Sequence, residues 1–133
     1  MTPVLLRFRL ISVGFAIGAV VHCAELCARL LGASPPAYPL WRHALFIGID
    51  TALAVLAPLA PRRLWLPLAA LLLQQSFTHG RVAWSTWQHG HRLAWVDALV
   101  VLFLGLSTLA ATDFRWRRRT ARARDAGSVV AAG

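Results

Sequence analysis

The sequence predicts an all-α, polytopic membrane protein built as a four-transmembrane-helix bundle, and three observations carry that reading. Of its 133 residues, 58% are hydrophobic and 14% charged, against roughly 45–50% and ~25% in soluble domains. Stretches without a basic residue run from Leu10 to Ala28, His43 to Pro61, Leu64 to Gly80 and Leu93 to Phe114. Each is near the ~17–25 residues needed to cross a hydrocarbon layer as a helix. The six tryptophans, Trp41, Trp65, Trp84, Trp87, Trp95 and Trp116, all fall near the ends of those stretches, where an amphipathic ring is most stable. A water-soluble core of this length would leave much of the Leu, Ala and Val unburied, and the composition excludes a disordered chain or a disulfide scaffold.

The first stretch is expected to remain as a span. His22, Glu25 and the lack of an A-x-A-like site spoil the pattern of a cleaved leader. Gly14 and Gly18 form a small-xxx-small face for close helix approach, and Cys23 and Cys27, about one turn apart, are expected as small packing residues. Gly32 and the run Ser34-Pro35-Pro36-Ala37-Tyr38-Pro39 break the chain before the second span, and Pro58, Pro61, Arg62 and Arg63 break it again. The third span is the shortest, with Pro67 in its first turn, where a missing N–H costs little. Gly80 is expected to end it. A short interfacial segment then leads to Arg92, with Trp84, Trp87 and His91 on one face. Residues 1–114 thus form the transmembrane domain, and 115–133 an Arg-rich cytoplasmic tail expected to be disordered from Ala126.

All fourteen basic residues are Arg. A net charge of +9 suits nucleic acid only when the cations share one soluble face. Here they punctuate apolar segments, so no nucleic-acid partner is expected. If the spans alternate, Arg7, Arg9, Arg62, Arg63, Arg115, Arg117, Arg118, Arg119, Arg122 and Arg124 lie on one side, and Arg29, Arg42, Arg81 and Arg92 on the other. That bias places both termini in the cytoplasm of a bacterial-type inner membrane, with the C-terminal cluster against anionic head groups.

Three of the five acidic residues, Glu25, Asp50 and Asp97, fall inside the expected spans. Each would cost roughly 2.5–3.5 kcal/mol near the bilayer centre as a lipid-facing ion, so each is expected to face inward toward partners. Measured from the outer end of each span, Glu25, His43, Gln75 and Asp97 come out at roughly 4–8 Å, and His22 and Asp50 at ~12–15 Å. His79, His89 and His91 lie nearer the outer rim. His22 and Glu25 (i, i+3), His43 and Asp50 (i, i+7), and Gln75 and His79 (i, i+4) each share a helix face, with Arg29 four residues beyond Glu25 as its neutralising partner.

This concentration points to an outward-opening intramembrane site. In the leading reading the protein is an enzyme acting on a lipid-soluble small molecule, with His22, Glu25, His43, Asp50 and Asp97 as acid–base groups. Gln75, His79, Trp84 and Trp87 would hold the substrate. A mixed His/carboxylate set also suits a divalent metal, with His22, His43 and His79 as ligands. His89-Gly90-His91 is a weaker metal candidate, and His22 with His43 or His79 would serve as axial ligands in a haem-binding subunit. The bland alternative is interhelical hydrogen bonding in an accessory subunit.

Four short helices in a chain of about this size, with Glu25 in the first, resemble the small multidrug resistance transporters. That resemblance rests on general layout and Glu25. It implies proton-coupled export by a homo-oligomer with Glu25 as the coupling carboxylate. Asp50, Asp97 and the five His depart from the family's pattern.

Overall fold

The computed structural model describes the backbone of residues 3–33, 39–61, 63–92 and 94–131, and the side chains of these between 4 and 122. Among the described residues it is helical with no strand, in the order α1 (Pro3–Leu30), α2 (Leu40–Leu59), α3 (Trp65–Gln75), a π-helical turn (Ser76–Gly80), α4 (Arg81–Gly90) and α5 (Trp95–Ala131). Three helices are long and apolar enough to span a membrane: Val4–Leu30, Leu40–Leu59 and Trp95–Arg122. The chain is therefore a membrane-embedded, multi-pass protein. It divides into two compact units, Met1–Ala60 and Pro61–Gly133.

The first unit is an antiparallel hairpin of α1 and α2. The helix α2 buries His43, Phe46, Asp50, Leu53 and Ala57, a stripe stepping alternately by three and four residues, as one face of a helix requires. On α1 the buried side chains are Phe8, Ile11 and Phe15. The remaining faces expose Val13, Ile17, Leu45 and Val55, which suits helices surrounded by lipid rather than water. The Ser12 hydroxyl donates to the Ala54 carbonyl at 2.5 Å, which fixes the register of the two helices.

The first helix stops where the sequence places its break. Gly32 adopts φ +72°, the Gly32 N–H donates to the Arg29 carbonyl and the Ala33 N–H to the Ala28 carbonyl. This is the paired closing bond of a Schellman motif, which needs a residue without Cβ at the left-handed position. The rest of that break, Ser34 to Tyr38, and Arg62 of the second break, lie outside the described residues.

The second unit pairs α3 with α5 in antiparallel fashion, since Trp65 meets Arg115 at one end and His79 meets Asp97 at the other. Leu64 and Leu68 are buried, as are Leu104, Ser107 and Ala111 on one face of α5. Contrary to expectation, Gly80 does not end the third helical segment. Its backbone (φ −62°, ψ −40°) and those of Gln75, Ser76 and Arg81 are right-handed helical. The rod therefore runs from Trp65 to Gly90, accommodating an extra residue as a π-turn. Only at His91, with φ 48° and its N–H on the Trp87 carbonyl, does it stop. The glycine is tolerated because a helix continued on both sides fixes its dihedrals, whatever its preference in isolation. The Arg-rich segment is continuous with the last span, as α5 extends to Ala131.

Ala57 is completely buried in the hairpin and Val55 is 55% exposed. Ala57→Leu is expected to destabilise the protein by about 1–3 kcal/mol through overpacking. Val55→Leu should stay within about 0.5 kcal/mol of the parent. Denaturant titration in detergent micelles measures both, and equal effects would contradict this packing.

Candidate functional site

Each unit gathers its own histidine and carboxylate. In the hairpin the antiparallel register sets His22 of α1 opposite His43 and Asp50 of α2. The Nδ1 atoms of His22 and His43 are 3.3 Å apart, and His22 Nε2 lies 3.9 Å from Asp50 Oδ2. The ring of Phe46 stacks on His22 with centroids 5.3 Å apart and planes at 23°, and the Arg42 guanidinium sits 5.8 Å from the centre of Phe46. His43 is only 7% exposed. Its Nε2 is buried without a hydrogen-bond partner among the described residues.

The hydrogen inventory of this cluster follows from its acceptors. His22 Nε2 lies within ion-pair range of Asp50 Oδ2 but beyond hydrogen-bond range, and between the two Nδ1 atoms one ring donates and the other accepts. When His22 turns an Nε2 proton toward the carboxylate, its Nδ1 is the acceptor, His43 donates through Nδ1, and the buried His43 Nε2 keeps a bare lone pair. A buried polar atom left unpaired costs about 1–3 kcal/mol, so this nitrogen is suited to receive a proton from a bound molecule.

Gly18 makes the arrangement possible. A Cβ at this position would lie 2.7 Å from Asp50 Oδ2, so the carboxylate rests directly against the α1 backbone. The sequence marks Gly18 as a small contact residue, and its position one turn before His22 on the same face was the available signal that it seats a polar partner. The stacking of Phe46 on His22 had no such signal.

Glu25 is engaged locally. The Arg29 Nε–H donates to Glu25 Oε1 at 3.0 Å, one helical turn away, and the Arg29 side chain is itself buried. Cys23 and Cys27 are exposed, which corrects their expected role as packing residues: they sit on faces of α1 turned away from α2.

In the second unit His79 Nδ1 lies 2.6 Å from Asp97 Oδ1, with both side chains partly buried. The imidazole N–H donates to the carboxylate, which leaves Nε2 as the acceptor. Gln75, 5% exposed, receives the Thr78 hydroxyl on its Oε1 at 3.0 Å. Both Thr78 and His79 belong to the π-turn, a distortion frequent at functional positions. Trp84 and Trp87 are exposed on α4, and Trp87 meets His91 edge-on at 6.2 Å. The His89 ring N–H donates to the Ser85 carbonyl at 2.8 Å.

Among the described residues no three His, Cys, Asp or Glu side chains are grouped as a metal requires. Within the hairpin His22 turns opposite nitrogens to His43 and Asp50, so the three cannot converge on one ion, and the close approach of the two rings leaves no slot for a macrocycle between them. No protein-family model, curated protein or solved structure matches the chain.

Gly18→Ala should lower stability by about 1–3 kcal/mol, because Asp50 must move. In an Asp50→Ala background most of that loss should vanish, a coupling of about 0.5–3 kcal/mol in a double-mutant cycle. Additive losses would show that the carboxylate is not what the new methyl group meets.

Proposed function

We propose that this is a four-span inner-membrane protein, both termini cytoplasmic, whose His–carboxylate groups perform acid–base catalysis on a lipid-soluble substrate. The unbroken helical backbone from Trp65 to Gly90 supports the fourth crossing. Its length of about 39 Å exceeds the ~30 Å hydrocarbon layer. The Arg bias between alternate ends supports the orientation.

The observation that carries the chemical reading is the unpartnered His43 Nε2 at the end of the Asp50–His22–His43 series. A substrate O–H or activated C–H placed there gives its proton to Nε2. The Nδ1 proton of His43 passes to His22, and the developing positive charge is held against Asp50. The Nε2 of His79, oriented by Asp97, offers the same chemistry in the second unit. Glu25 is a poor coupling carboxylate while Arg29 holds it, which favours catalysis over proton-driven export.

Membranes from cells producing the protein should contain a lipid-soluble species that is converted, by isomerisation, hydrolysis or group transfer, relative to cells without it. Mass spectrometry of total lipid extracts reads this out. His43→Asn, produced to the same level, should lower the conversion by about 10²–10⁴-fold. Lipid profiles that the wild-type protein leaves unchanged would overturn the catalytic reading, and pH-driven uptake lost in Glu25→Gln would replace it with transport.

A further inference from the structure

At the end of the second unit opposite His79 and Asp97, the start of α3 and the stretch of α5 from Arg115 to Arg122 flank a cleft of about 380 Å³, within the ~300–1,000 Å³ range of ligand sites. Arg63, Trp65, Arg115, Arg118, Arg119 and Arg122 line it. Among the described residues no acidic side chain does. Five guanidinium groups around one small space repel one another unless an anion joins them. The carboxylate nearest in sequence among the described residues, Asp113, receives Arg117 Nε–H on both oxygens at 2.9 Å, and Arg117 is outside the lining.

Two of the lining arginines rest against aromatic rings, of which Trp65 itself lines the cleft. The Arg115 guanidinium lies 4.2 Å from the centre of the Trp65 ring, and that of Arg118 lies 5.3 Å from Phe114. A guanidinium held at an aromatic ring keeps its planar fork of donors for oxygen ligands. Leu66, 60% exposed, continues the lining with an apolar side chain. From Trp65 to His79 the axis rises about 21 Å, and from Asp97 to Arg115 about 27 Å. With Asp97 roughly 4–8 Å below the outer end of its span, as its sequence position implies, these rises take up the ~30 Å of a hydrocarbon layer, and the cleft falls at the level of lipid phosphates on the other side.

We propose that this cleft is a binding site for the phosphate of an anionic phospholipid, with the arginines holding the phosphate oxygens and Trp65 and Leu66 contacting the glycerol and first acyl carbons. Phosphate esters from lipid or solution share the anionic chemistry. The apolar part of the lining assigns the lipid.

Native mass spectrometry of the full chain in detergent, titrated with phosphatidylglycerol, phosphatidylcholine or glycerol phosphate, tests this. Phosphatidylglycerol should bind at one saturable site, at least tenfold tighter than phosphatidylcholine, whose choline cation meets the arginines. Glycerol phosphate should displace it only at far higher concentration. Each Arg removed should weaken binding about fivefold. Arg115→Gln/Arg118→Gln and, separately, the exposed pair Arg119→Gln/Arg122→Gln should therefore each lose about 25-fold, with helicity by circular dichroism unchanged. Arg117→Gln, on the same turn but outside the cleft, should lose less than twofold. An equal loss in Arg117→Gln, or equal binding of phosphatidylcholine, would reduce the site to diffuse surface charge. Glycerol phosphate binding as tightly as the lipid would overturn the lipid assignment.

Discussion

A polar side chain carried into an apolar layer has to be matched across a helix contact, and in the hairpin this requirement and the packing requirement are met by the same stripe. His43 and Asp50 alternate with Phe46, Leu53 and Ala57 on the buried face of α2. Any rotation of α2 that exposed the two polar groups to lipid would also expose the packing residues. The register is held from the other side as well. Asp50 fits only against a residue with no side chain, which Gly18 supplies, and the Ser12 hydroxyl reaches one carbonyl, that of Ala54. With the register set, His22 faces His43 and Asp50, one ring nitrogen toward each. The chemistry of the cluster is thus a consequence of how two apolar helices find one another.

Much of this was legible in the sequence. Of the four apolar stretches read as spans, three lie in helices long and apolar enough to cross a membrane, and Gly32 marked the end of the first because a left-handed C-terminal residue has a recognisable chemistry. The seven-residue spacing of His43 and Asp50 placed them on one face, which is where they lie. Glu25 and Arg29, four residues apart, pair as that spacing permits. The end of the third helical segment was not legible. Gly80 reads as a stop by intrinsic preference, yet the dihedrals of a continuing helix override that preference, and the extra residue is absorbed in a π-turn that no local pattern announces. Partner choice was also beyond the sequence. Depth along a span narrows the partners to a layer, but whether Asp97 meets His79 or another group at its level depends on helix rotation, which is set by packing.

The π-turn has a chemical effect on the second unit. A helical segment with an inserted residue shifts its side chains by about 100° relative to the regular continuation. Ser76 to Gly80 therefore carries Thr78 and His79 out of the phase that α3 would impose. The result is that the Thr78 hydroxyl bonds to Gln75 Oε1 while His79 reaches across to Asp97 on α5. The distortion costs some backbone hydrogen-bond quality, offset by the bonds that two partly buried polar groups make.

The exclusive use of Arg, fourteen with no Lys, fits the same physical setting. An ammonium group is strongly hydrated and gains little from an aromatic face at a helix end, whereas a guanidinium is weakly hydrated and can lie against a ring while its edge still donates. Arg42 does so near Phe46, Arg115 near Trp65 and Arg118 near Phe114. Arg29 goes further and buries its side chain beside Glu25. Lysine at these positions would hold the same formal charge but would lose either its hydration or its ring contact. Arginine keeps a cation at the boundary of the apolar layer without requiring full solvation, and for that reason the helix ends of this protein can be charged and closely packed at once.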